Sequence, residues 1–138
     1  MDSKFPFGND FYAHVTFEGG ERTFTCPVPW IGTLPGEWEC ALHEISIQLS
    51  EPEGDRVFLC GHFLDATAVG SFRYQLLRNV ETNTRKTYEE TYVRPRYVRM
   101  LGGSQDSLRF FLLDKNCKPL ENVEVKAHCV LHFRKKWR

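Results

Sequence analysis

The chain has 138 residues, with 18 lysines and arginines against 18 aspartates and glutamates. That length suits one domain with a single core, and the absence of net charge argues against a nucleic-acid binder that relies on a broad basic surface. Residues 1 to 10 hold no basic region followed by an apolar run, no window approaches the roughly 20 apolar residues of a membrane span, and the five cysteines lack CxxC spacing, so the sequence reads as soluble and intracellular with reduced thiols.

The opening residues 1–10 read as an arm without regular structure, in which Phe5 and Phe7 offer anchors to a neighbour. Phe11, Ala13, Val15 and Phe17 then alternate with Tyr12, His14 and Thr16, and the Glu18-Gly19-Gly20-Glu21 turn leads into Arg22 to Val28. This pattern predicts a β-hairpin whose second arm ends, or lies on an edge, at Pro27 and Pro29. Trp30 lies in the connection that follows. The run Leu34 to Leu49 is the strongest strand of the chain, starting from the turn signal Pro35-Gly36. Trp38, Cys40 and Leu42 share one face, but the apolar positions then become Ile45, Ile47 and Leu49. The slip of one residue near His43-Glu44 predicts a β-bulge and a bent strand.

After a polar turn at 50–55, Arg56 to Phe63 is apolar on both faces, as expected of a strand buried on two sides, and Gly61 marks a bulge or a close backbone approach. Val69-Gly70 forms a short connection into one strand over Phe72 to Val80, with Phe72, Tyr74 and Leu76 on one face and Leu77 out of phase. Thr87 to Val93 and Arg96 to Leu101 are β-prone and separated by Pro95. Leu108, Phe110 and Leu112 alternate in the next strand. The last runs from Val123 to Phe133 with Val123, Val125, Ala127, Cys129, Leu131 and Phe133 inward. Eight or nine short strands without a helix predict an all-β, two-sheet antiparallel sandwich; spacing leaves jelly-roll and other Greek-key topologies open.

No GxSxG, Cys-His pair in a catalytic setting or glycine-rich phosphate loop is present, so the residues point away from an enzyme and from a cofactor. His128, Cys129 and His132, with Cys60-Gly61-His62, are of zinc-ligating type, but strand alternation turns Cys129 away from both histidines, and no metal site is expected. Tyr92, Arg94, Arg96, Tyr97 and Arg99 combine rings with guanidinium groups. That mixture suits single-stranded nucleic acid or a protein interface, and zero net charge favours the interface. Arg134, Lys135, Lys136 and Arg138 flank Trp137 in a basic tail over 134–138, which reads as a contact for nucleic acid, a segment that inserts Trp137 into a neighbouring subunit, or a solvated end with no role; the remainder holds 14 basic and 18 acidic residues.

Gly36-Glu37-Trp38-Glu39 with the alternating run and Glu44-Ile45, then Val69-Gly70 followed by Leu76-Leu77-Arg78, then Leu131-His132-Phe133-Arg134, together resemble the minor capsid (penton) proteins of Polinton (Maverick) elements and adintovirus-like DNA viruses. The resemblance implies a single jelly roll over 1–138. It further implies a homopentamer at the five-fold vertices of an icosahedral virion, beside a double jelly-roll major capsid protein, with no small-molecule substrate. It marks Gly36, Glu37, Trp38, Val69, Gly70, Leu76, Leu77, Arg78, Leu131 and Phe133 as fold-defining. Ser46-Ile47 departs from the Tyr-Pro that often follows the Glu-Ile pair, which leaves the local loop geometry open. Phe5, Phe7, Trp30, Tyr92, Arg94, Arg96, Tyr97, Lys135, Lys136, Trp137 and Arg138 are the candidate contact residues. The competing reading is a monomeric or trimeric β-sandwich module that recognises a protein or ligand through its loops.

Overall fold

The computed structural model describes residues 10–28, 36–52, 54–69, 72–101, 107–120 and 122–136. Within them the alternating segments form eleven strands: β1 Asp10–Gly19, β2 Phe24–Pro27, β3 Trp38–Leu49, β4 Val57–Gly61, β5 Thr67–Val69, β6 Phe72–Tyr74, β7 Leu76–Val80, β8 Thr87–Thr91, β9 Val98–Arg99, β10 Ser107–Leu113 and β11 Val125–Lys135. One sheet has the order β1-β11-β3-β8, with β9 also on β3; the other is β2-β10-β4-β7; β5 and β6 pair apart from both. Every pairing is antiparallel.

The pairs nest. β1 lies beside β11, β2 beside β10, β3 beside β8 and β4 beside β7. This is the result of folding one long antiparallel hairpin back and rolling it so that successive pairs fall alternately into two sheets, which is the single jelly roll. The topology that spacing left open is therefore decided by pairing.

The expected hairpin over residues 11–28 does not form. β1 pairs with β11 and β2 with β10, so the turn at Gly19 and Gly20 carries the chain from one sheet to the other. The inward residues explain the crossing: Phe17 and Phe24 are both buried and meet across the sandwich with ring centroids 4.7 Å apart. Phe17 also stacks on Phe110 at 5.3 Å, and Phe110 takes an edge-on contact from Phe63 at 5.4 Å. Aromatic rings thus tie the two sheets together at their centre.

β3 carries the expected bulge. Along β11 the partners step from Val130↔Glu44 to Leu131↔Leu42, leaving His43 as the extra residue. Leu42 and Ile45 consequently both face the core although three positions apart. The segment read as one strand over 72–80 divides at Gln75 into β6 and β7, because the Gln75 side chain donates to the carbonyls of His62 at 3.0 Å and Leu64 at 2.8 Å. Leu77 is a second bulge, since Leu59 pairs with Arg78 and Cys60 with Leu76. It points Leu77 into the main core and Leu76 to a smaller cluster with Phe58, Cys60 and Leu113. β4 is buried along its whole length because both of its faces are covered. At Gly61 an added Cβ would lie 2.4 Å from Cε1 of Phe63, so the position needs glycine for lack of room.

The basic segment begins later than expected. Arg134 and Lys135 belong to β11, opposite Glu39 and Trp38, and the Lys136 N–H donates to the Glu37 carbonyl at 2.8 Å. Backbone pairing with the start of β3 outweighs the polarity of the side chains.

Candidate functional site

β3 is longer than either strand on its free side. β8 covers Glu44 to Gln48 and β9 covers Glu39 and Cys40, and the gap is spanned by an arch over residues 92–97. The arch starts at the bulge, where the Tyr92 N–H donates to the His43 carbonyl at 2.8 Å. It is then held by arginines. Arg78 Nη1 donates to the Arg94 carbonyl at 3.3 Å, and its guanidinium carbon sits 3.9 Å from the centre of the Tyr92 ring. Arg96 donates from Nη1 to the carbonyls of Leu76 at 3.3 Å and Leu77 at 3.5 Å, and from Nη2 to Thr67 Oγ1 at 3.3 Å. Tyr97 shares a 2.6 Å hydrogen bond with His132 Nδ1 and lies under Arg134, whose Nε donates to Glu39 at 2.9 Å.

These contacts give the arginine and tyrosine residues partners within the chain. Tyr92 is only 7% exposed, and burial pushes its phenol above the ordinary range while Arg78 pulls the other way. Its ring packs against Arg78 within the chain. Arg96 and Tyr97 likewise fasten the arch to β7 and β11. What the arch presents outward is Val93, 91% exposed, with Arg94 beside it.

The outer face of the β1-β11-β3-β8 sheet carries four of the chain's five histidines: His14, His43, His128 and His132. Tyr12, 56% exposed, stacks on His132 at 4.5 Å and lies 5.2 Å from His43. His132 Nε2 is 3.1 Å from Asp10 Oδ2. His14 meets His128 across the β1–β11 pair. Alternation alone shows that Tyr12, His14, His128 and His132 point outward. Their adjacency rests on pairing between the first and last strands, which no local pattern encodes.

The residues marked as fold-defining fall in three places. Gly36, with φ at +83°, precedes β3; Glu37 accepts from Lys136 and has Arg99 Nε 4.0 Å away; Trp38 is buried at the start of β3. Val69 ends β5, and Leu76, Leu77 and Arg78 lie in β7. Leu131 and Phe133 are fully buried in β11. Phe5, Phe7, Trp30, Gly70, Trp137 and Arg138 lie outside the described residues. Cys129 faces the core, His128 and His132 face the opposite way, and Cys60 and His62 belong to the second sheet's side, where His62 packs on Phe111 at 4.7 Å. The structure does not bring these histidines and cysteines together.

No protein-family model matches the chain, and no curated protein matches it. Among solved structures, the chain is similar to the mavirus penton protein at 14% identity and a TM-score of 0.32, over 70% of this chain and 35% of that one.

Proposed function

We propose that this chain is a structural capsid protein of the penton, or minor capsid, kind. In this reading it assembles as a homopentamer at the five-fold vertices of an icosahedral particle and contacts a double jelly-roll major capsid protein. The observation that carries the reading is the nested pairing of β1·β11, β2·β10, β3·β8 and β4·β7, because jelly rolls of this form build viral capsids. Lectins and cupins use the same architecture. The resemblance at Gly36-Glu37-Trp38, Leu76-Leu77-Arg78 and Leu131 to Arg134 selects the capsid among them.

Its work is contact. A cyclic ring needs two different patches on each subunit, one meeting the other on the neighbour. The outward tip of the arch at Val93 and Arg94 is our candidate for one patch, and the Tyr12 region of the outer sheet face for the other. Phe5, Phe7, Trp30, Lys136, Trp137 and Arg138 remain assigned to contacts with neighbouring subunits or, for the basic residues, with packaged nucleic acid. Light scattering at micromolar concentration, followed by electron microscopy with the major capsid protein, tests the reading. A pentamer, or a monomer that enters five-fold vertices on co-assembly, is the expected result. A stable trimer, or a monomer excluded from the shell, would replace it with the loop-binding module.

A further inference from the structure

The pairing of β1 with β11 places two imidazoles in a geometry that the capsid reading does not use. Thr16 is opposite His128 and His14 opposite Val130, so His14 and His128 are diagonal neighbours on the same outward face. Their rings meet by their nitrogens: His14 Nδ1 is 3.3 Å from His128 Nε2, whereas the ring centroids are 5.4 Å apart at 43°. The recess around them is completed by Glu44, Ser46, Glu89 and Val130.

The nitrogen separation can be compared with what a shared metal ion demands. Zinc binds imidazole nitrogen at about 2.0–2.1 Å, and two such bonds at the tetrahedral angle put the nitrogens about 3.3–3.4 Å apart. Bonds at a right angle, as in square-planar copper or an octahedral site, would need about 2.9 Å. A hydrogen bond between protein groups peaks at about 2.9–3.0 Å, which is also shorter than the separation seen. The pair therefore matches the tetrahedral bite, at a separation that a direct hydrogen bond between the two rings also spans.

We propose that His14 and His128 form a two-histidine site for a divalent transition ion of tetrahedral preference, zinc first, bound through Nδ1 of His14 and Nε2 of His128. Ligation requires His14 to carry its proton on Nε2 and His128 on Nδ1, so the ion replaces the hydrogen bond that the two nitrogens otherwise share. Among the described residues no group of three histidine, cysteine or acidic side chains converges on one ion. Water accordingly fills the remaining positions, and binding falls in the micromolar range and not at the affinity of a closed four-ligand site. Glu44 and Glu89 offset the charge of the ion. Ser46, opposite His128 on the neighbouring strand, is the small side chain of the recess. A bound ion would clip the first strand to the last and stabilise the fold by mass action.

The test is calorimetric titration of the whole chain with zinc chloride, together with melting curves over the same concentrations. The expected result is one saturable site in the micromolar range and a melting temperature that rises with zinc. His14→Ala and His128→Ala should each weaken binding by at least about tenfold and remove the rise. His14→Gln, which keeps size and polarity, should behave as His14→Ala does and excludes a simple folding defect. His62→Ala, on the other sheet, should bind as the native chain does. Absence of saturable binding below millimolar zinc overturns the proposal, as does binding that survives in the His14 and His128 variants.

Discussion

Trp38 and Glu39 are adjacent in sequence and opposite in environment. Trp38 is 3% exposed and packs its indole against Phe11 at 5.6 Å, whereas Glu39 lies on the outer face and pairs with Arg134. Trp38→Ala should cost about 3–5 kcal/mol through lost burial and a residual cavity. Glu39→Ala should cost no more than about 1 kcal/mol, because its partner is half in solvent. Urea melts check both, and equal costs would mean that the facing is reversed. This much is legible in the sequence, since alternation is a local property. Tyr92 is not legible in that way. Its ring is buried by Arg78 from a different strand, and its hydroxyl is buried with no protein partner among the described residues. Tyr92→Phe should therefore be neutral or stabilising by up to about 1 kcal/mol, because it deletes an unpaired polar group while leaving the ring in place. A loss of more than that in the same urea melts would show that the hydroxyl has a partner.

Strands were easier to read than their partners. The slip in the alternation of β3 gave away the bulge at His43, because an extra residue shifts every later side chain by one position. The turn between β1 and β2 misled for a related reason. A short glycine-containing loop between two alternating runs is the signature of a hairpin, but here the two runs bury Phe17 and Phe24 against each other from opposite sheets. Only tertiary packing distinguishes the two outcomes. The end of β11 shows the same limit: residues 134–136 have tail composition, yet Lys135 lies opposite Trp38 and the Lys136 N–H bonds to Glu37. Removing residues 135–138 should thus lower stability by about 1–2 kcal/mol through lost backbone hydrogen bonds, visible as a lower urea midpoint. An unchanged midpoint would mean that this end of the ladder contributes nothing. Gly61→Ala should cost about 1–3 kcal/mol, since the new methyl group must displace the buried Phe63 ring. That requirement was visible in the sequence as a glycine within an apolar strand, although the group approaching it was not.

At the scale of the whole molecule, the class of fold could be read from strand number and turn spacing, but the roll itself could not. Its defining pairs, such as Asp10 with Arg134, join residues at opposite ends of the described chain. One global property does follow from composition once the core is known. Cys40, Cys60 and Cys129 are fully buried free thiols, where burial raises Cys60 and Cys129 to about 12 and Cys40 further still. In the unfolded chain the same thiols ionise near their ordinary value of 9.0. Raised values in the folded state mean that the unfolded state loses its protons first as pH increases. Stability is thus complete below about pH 9 and declines above it, until the folded thiols themselves ionise. Each such thiol adds to the loss as pH rises beyond its unfolded value, so the three act in the same direction. Tyr88, raised to about 12 by burial and by its hydrogen bond to Glu90, adds to the decline only above the ordinary phenol value of 10.0. Urea midpoints measured under reducing conditions at about pH 7.5 and about pH 10 should therefore differ strongly. Replacing Cys40 and Cys129 together by alanine should narrow the difference, although it lowers stability at both pH values through lost packing. A native chain with the same midpoint at both pH values, or a double variant with an undiminished difference, would show that these thiols do not set the alkaline limit of the fold.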